Sequence, residues 1–202
     1  MKLYFSPAAC SLSPHIALHE AGLAFETERV DLKTKKTASG EDFNAINPKG
    51  YVPALRLDDG QLLTEGPAIV QFIADQAPGK ALAPAPASFE RLRLQEWLTF
   101  INSELHKTLG SLFNPALPPE ARTMAIANAG KRLAWTDTQL AGRAYLMGET
   151  FTVADGYLFT VVNWTNFVGM PLDAYPNLQA YMGRVAARPG VQAALKAEGL
   201  LK

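Results

Sequence analysis

The chain has a single cysteine among 202 residues, so it forms no internal disulfide, and a reducing cytoplasm is the expected home. Three scattered histidines and one cysteine make no metal-ligand cluster, and no glycine-rich phosphate cradle is present. A surplus of either charge is missing as well. Lys plus Arg and Asp plus Glu are both 19, without the basic surplus that a nucleic acid or an anionic membrane surface favours. The opening MKLYFSPAAC carries no apolar run long enough for a signal peptide, and nothing further on is long enough to span a bilayer. No segment repeats. What is left is a globular chain with enough length for one large core or two small ones.

The richest stretch is Tyr51 to Gln76, YVPALRLDDGQLLTEGPAIVQFIADQ. Ala54 to Leu57 and Gln61 to Leu63 are short apolar runs around an Asp58-Asp59-Gly60 turn, which predicts a hairpin. Gly66-Pro67 then opens a helix with Ile69, Val70, Phe72 and Ile73 as its apolar stripe. Upstream, Lys2 to Phe5 reads as a strand and Ile16 to Leu18 as part of a helix stopped at Gly22. Phe25 to Leu32 reads as a second strand parallel to the first, and a turn of helix is expected near Asp42-Phe43. The order β-α-β-α-β-β-α is the thioredoxin-like arrangement.

Ala77 to Ala87, APGKALAPAPA, has three prolines and no periodicity, so it reads as a linker. Domains are expected at 1–80 and 88–202, joined by 81–87. The second is all helical, with helices over 88–112, 120–140, 152–168, 177–187 and 191–200. In the first of these, Leu94, Leu98, Ile101, Leu105 and Leu109 form one stripe. Thr152 and Asp155 have the spacing of an acidic capping box, a structural device ahead of a helix that is apolar nearly all round.

Several residues carry chemistry, each with a plainer reading beside it. Val52-Pro53 is either an edge-strand proline or a cis bond that presents the Val52 backbone to an extended peptide. Glu65-Gly66-Pro67 is either an ordinary helix start or a corner for both charges of an α-amino acid. In the second reading the carboxylate meets the helix N-terminus and the ammonium meets Glu65. Pro67 supplies no N–H to that corner. Cys10 is either a small buried hydrophobe or a reactive thiol where the first helix begins, with the dipole favouring its thiolate. Thr99, Ser103, His106 and Gly110, spaced four, three and four, form a polar seam that meets solvent or lines a cleft. Lys107 reads most simply as a surface lysine, and Trp164 as core or pocket.

Taken in order, MKLYFSPAACSLSPH, DLKTK, NPKGYVPAL, LLTEG, EWLTFINSELHK and FTVADGYLFTVVNW resemble the glutathione transferases, in particular their mainly bacterial beta class. The similarity runs over essentially the whole chain. It implies a dimeric, cytoplasmic glutathione transferase with a thioredoxin-like domain and a helical domain. Glutathione is the co-substrate, no metal or other cofactor is called for, and small hydrophobic electrophiles or mixed disulfides are the acceptors. It further implies that Cys10 lies near the glutathione sulfur and forms a mixed disulfide with it, with catalysis by Cys10 and His106. Glutathione is then bound by Cys10, Ser11, Lys35, Val52, Pro53, Glu65 and Gly66. Thr99, Ser103 and Lys107 are the further contacts, and positions 99 and 103 face the other subunit's site. Trp164 sits by the electrophile pocket. Gly66 departs from the Ser that many relatives have there, and Thr99 from their Asn. A non-enzymatic interaction or regulatory protein on the same scaffold is the alternative.

Overall fold

The computed structural model describes residues 1–201. The chain folds as two units, one of Met1–Leu82 together with the segment from Arg188 onward, the other of Ala83–Ala187.

The first unit runs β1 (Lys2–Phe5), α1 (Leu12–Ala21), β2 (Glu26–Asp31), β3 (Lys36–Thr37), α2 (Phe43–Ile46), β4 (Ala54–Arg56), β5 (Leu62–Thr64) and α3 (Gly66–Gln76). The sheet order is β3-β2-β1-β4-β5, with β1 and β2 parallel and the remaining pairs antiparallel. This is the thioredoxin-like order with one extra short strand, β3. Central β1 buries Leu3, Tyr4 and Phe5 in succession, as a strand covered on both faces must. Tyr4 packs with Val30, Phe43, Val52 and Ala54 on one side of the sheet. The β4–β5 turn closes as its Asp-Asp-Gly signal predicts, with Gly60 at φ +86°, a conformation that costs glycine little.

Helix α1 is buried all round because α3 and a C-terminal helix, α10 (Pro189–Ala197), both pack on it. This corrects the expected boundary at 88–202. Val191, Ala194 and Leu195 of α10 are buried, and the Arg188 guanidinium makes two bonds to the Glu20 carboxylate, of 3.0 and 2.7 Å. The last helix has its apolar face and its ion pair with the first unit.

The second unit is all α: α4 (Phe89–Phe100), a π-helical turn (Ile101–His106), α5 (Lys107–Ser111), α6 (Pro119–Gln139), α7 (Val153–Val162), α8 (Thr165–Val168) and α9 (Pro176–Ala186). The long helix expected over 88–112 is continuous but not uniformly α. Its wider turn keeps Ile101, Leu105 and Leu109 inward, as an α stripe with the same spacing of four and four would. The helix expected over 152–168 breaks after Val162, where Trp164 N–H turns to the Val161 carbonyl. All ten residues of α7 are buried, so it is the core of this unit. Its capping box closes: Thr152 donates to Asp155 Oδ2 from its N–H at 2.7 Å and from its hydroxyl at 3.0 Å. No helix of the described residues is long and apolar enough to cross a membrane.

Candidate active site

The β1–α1 loop carries Cys10, and buried polar groups hold that loop. The Ser11 hydroxyl is fully buried, donating to the Ser6 carbonyl at 3.2 Å and accepting from the Ser6 N–H at 3.1 Å. Ala8 sits at φ +61°, and its N–H donates to Glu198 Oε2 at 3.0 Å, while Glu198 Oε1 is 2.9 Å from His15 Nδ1. The amides of Leu12 and Ser13 bond to the Ala9 and Cys10 carbonyls, so the first turn of α1 spends these donors on its own loop. Cys10 is half-buried, and its thiol donates to the Val52 carbonyl at 3.2 Å. Only a protonated thiol makes that bond.

The Val52–Pro53 peptide is cis. Just beyond it lies the Glu65 corner, since a Cβ placed on Gly66 would fall 4.0 Å from Pro53. Glu65 adopts φ +69° and ψ 114°, a backbone conformation that costs a residue with a Cβ on the order of 1–3 kcal/mol and clusters at ligand sites. Its side chain makes no capping bond to α3. Its half-exposed carboxylate instead accepts from Lys49 Nζ at 2.5 Å and from the Tyr51 hydroxyl at 2.9 Å. The hydrogen bond from Lys49 to Glu65 raises the lysine pKa, and the bond to the same carboxylate raises that of Tyr51. Lys49 Nζ also donates to the Thr64 hydroxyl at 3.0 Å. An ammonium thus already lies on Glu65.

Lys35, another candidate, is half-buried at φ +57° and donates to the Gly50 carbonyl at 2.7 Å. Gly50 has φ +69°, and a Cβ there would lie 2.9 Å from Asn44 Oδ1, so the loop needs glycine. The loop is tightened further by Asn47, whose buried side chain donates to the Tyr51 carbonyl at 2.8 Å. The first unit therefore gathers Cys10, Val52, Pro53, Glu65 and Gly66 at the sheet edge and α3 start, with Lys35 one loop away. Sequence reasoning did not single out Lys49, Tyr51 or Thr64. All three lie in the quoted stretches NPKGYVPAL and LLTEG, and the available signal was a cation and a phenol in the loop just before a strand whose hairpin partner ends beside a glutamate.

The second unit splits the polar seam. Thr99 and Ser103 are exposed, the Thr99 hydroxyl donating to the Gln95 carbonyl at 2.7 Å. His106, the last residue of the π turn, and Gly110 are half-buried and turn toward Trp164. The His106 ring lies 4.8 Å from that of Trp164 and 5.8 Å from that of Tyr157, and Phe113 meets Trp164 edge-on at 5.7 Å. Trp164 is buried, and Lys107 is exposed. Tyr157 and Asn102, which complete this cluster, were not among the expected site residues.

A thioredoxin-like unit with a thiol beside the residue before a cis-proline, and an acidic corner at the start of the next helix, defines the glutathione-binding class of proteins. Known proteins of similar sequence and structure agree. Residues 8–76 match the family described as glutathione S-transferase, N-terminal domain, and residues 100–189 match glutathione S-transferase, C-terminal domain. Glutathione S-transferase GstA of Escherichia coli O157:H7 is 46% identical over 99% of this chain and 100% of its own. A sphingomonad glutathione S-transferase solved in complex with glutathione is 52% identical, with a TM-score of 0.96 and full coverage of both chains. The beta-class glutathione S-transferase of Sphingomonas chungbukensis is 51% identical, with the same TM-score and coverage. The chain belongs to the glutathione S-transferase family, in its bacterial beta class. It is a transferase that uses glutathione as co-substrate.

Proposed function

We propose that the enzyme lays glutathione along the Val52 backbone with its γ-glutamyl head at Glu65 and Gly66, and joins the thiolate to small hydrophobic electrophiles. The observation that carries this reading is Glu65. It is held at φ +69° with its carboxylate turned away from helix capping and already accepting an ammonium, that of Lys49. The γ-glutamyl ammonium takes the place of Lys49 on that carboxylate, the free N–H of Gly66 serves the γ-glutamyl carboxylate, and Lys35 adds a cation at the same edge. The cysteinyl amide of the ligand bonds the Val52 carbonyl, the acceptor that Cys10 now uses, so binding competes with the thiol's present bond. Ser11, with its hydroxyl committed to Ser6, serves by shaping the loop.

Conjugation forms a bond from the glutathione sulfur to the electrophilic carbon and expels the leaving group. The second reaction is thiol–disulfide exchange, favoured by the placement of the lone thiol at the Val52 backbone. The Cys10 thiolate attacks the glutathionyl sulfur of a mixed disulfide and releases the substrate thiol. A second glutathione thiolate then cleaves Cys10–S–S–glutathione to glutathione disulfide and regenerates Cys10. His106 is assigned a catalytic part, and Trp164 with Phe113 the apolar surface for the acceptor. Thr99, Ser103 and Lys107 are assigned to glutathione in a cytoplasmic homodimer, Thr99 and Ser103 serving the partner's site.

Two measurements test this. Glu65→Ala is expected to weaken retention on immobilised glutathione, and undiminished retention removes Glu65 from the site. Cys10→Ala is expected to abolish reduction of glutathionylated substrates while leaving conjugation of an aryl halide measurable. Equal collapse of both activities rejects the division.

A further inference from the structure

Helix α7 is apolar nearly all round and buried along its whole length, yet it places one phenol against the π turn. Tyr157 is 1% exposed, and its hydroxyl meets two polar groups there. It donates to Asn102 Oδ1 at 2.9 Å, and it lies 2.6 Å from His106 Nδ1. Asn102 and His106 lie in the same wide turn, the helix segment Ile101–His106, which brings both to one hydroxyl. Gly110, one turn on, faces the same rings: a Cβ there would lie 3.8 Å from both the His106 ring and the Trp164 ring.

The protons in this chain can be counted. A phenol has one, and an amide carbonyl oxygen can only accept, so the Tyr157 proton belongs to the Asn102 bond. The bond between Tyr157 and His106 must then use a proton on Nδ1. A neutral imidazole has one N–H, so the lone pair is on Nε2. We propose that Tyr157 is a positioning residue that, with Asn102 as its acceptor, holds His106 as the Nδ1–H tautomer and makes Nε2 a proton acceptor. The inference rests on the reading that His106 takes part in the reaction. In that reading the glutathione S–H bond breaks, its proton goes to Nε2, and the products are thiolate and imidazolium. Tyr157 accepts from Nδ1–H before and after the transfer, so nothing in the chain has to rearrange. The alternative role, in which neutral His106 donates Nε2–H to the sulfur, requires the opposite tautomer.

Long-range 1H–15N correlation spectra of the 15N-histidine-labelled enzyme separate the tautomers directly, with the His106 signals identified by their loss in His106→Gln. The wild type is expected to show a protonated Nδ1 and an unprotonated Nε2 at a pH where His106 is neutral. Asn102→Ala removes the acceptor that holds the phenol proton away from Nδ1 and is expected to switch His106 to Nε2–H. Asn102→Asp restores an acceptor and is expected to restore Nδ1–H. Tyr157→Phe is expected to lose the fixed tautomer and to lower kcat about tenfold or more with the KM for glutathione unchanged. A wild type with Nε2–H and bare Nδ1, or an Asn102→Ala spectrum identical to wild type, overturns the proposal. These spectra need no turnover. If they come out as expected while His106→Gln conjugates at the wild-type rate, the catalytic part of His106 fails and the tautomer assignment stands. Asn102 is half-buried, so its two variants keep the test open should Tyr157→Phe fail to fold.

Discussion

Glu65 and Asp155 are both acidic residues at a helix start, one before α3 and the other in the first turn of α7, and their surroundings differ in every respect. Asp155 is fully buried and its side chain accepts from the Leu146 N–H, the Thr152 N–H and hydroxyl, and the Tyr181 hydroxyl. Glu65 has its backbone in a disfavoured region, and its half-exposed side chain makes no capping bond and is shared by Lys49 and Tyr51. The carboxylate with a complete set of internal donors serves the fold. The one held in strain, with partners that a ligand can replace, is the one we propose for binding. Burial raises the Asp155 pKa, and its hydrogen bonds pull the other way. The internal donors thus exist to satisfy a group that water cannot reach.

The largest effect expected is from Asp155→Ala, which leaves several buried donors without an acceptor. Loss of about 3 kcal/mol or more of unfolding free energy is expected by urea denaturation, with activity per folded molecule preserved. A loss under about 1 kcal/mol breaks the comparison on the folding side. Next comes Glu65→Ala. Its glutathione affinity is expected to fall on the order of tenfold to a hundredfold by titration calorimetry, the scale of a charged hydrogen bond. Its stability should move by less than about 1 kcal/mol, since the ion pair with Lys49 is half-exposed. Glu65→Gly sharpens the point about strain. It is expected to be more stable than Glu65→Ala by about 1 kcal/mol, because glycine adopts φ +69° without a Cβ. Equal stability of the two would mean that the conformation stores nothing.

A smaller effect separates Asp155 from a buried group whose bonding is incomplete. His19 stacks on His15 with ring centroids 5.1 Å apart, and its Nε2 is buried without a partner. Burial first, then the neighbouring His15, lowers its pKa below the usual 6.5. The unfolded chain therefore takes up the proton first on acidification. Stability from this site is complete above about pH 6.5 and is lost as pH falls through the lower folded value. The urea midpoint of the wild type is expected to drop across that window more than that of His19→Phe. Parallel curves would remove His19 from the acid response.

Much of this was readable from residue order. The Asp-Asp-Gly hairpin, the Gly22 helix stop and the Thr152–Asp155 box are local devices, with every partner within a few residues, and each formed as its chemistry required. Cys10, Val52, Pro53, Glu65 and Gly66 could be proposed as candidates because each lies beside a boundary that sequence marks. Lys49 and Tyr51 could not, because their partner Glu65 lies 16 and 14 residues away. Tyr157 meets its partners across 51 and 55 residues, and in sequence it is one more aromatic on an apolar helix. The π turn was hidden for a related reason. Leucine spacing of four and four fits an α stripe and a wider turn equally well, and only packing chooses between them.

Residue order alone set the two element patterns, period two and then period 3.6, the breaks between them, and the helix start at Gly66-Pro67, because those depend on neighbours along the chain. Tertiary structure decided that α10 joins the first unit, that Lys49 rests on Glu65, and that Asn102, Tyr157 and His106 share one hydroxyl. Each of these joins groups far apart in sequence, and such pairs meet only once burial of distant apolar faces has brought their elements together.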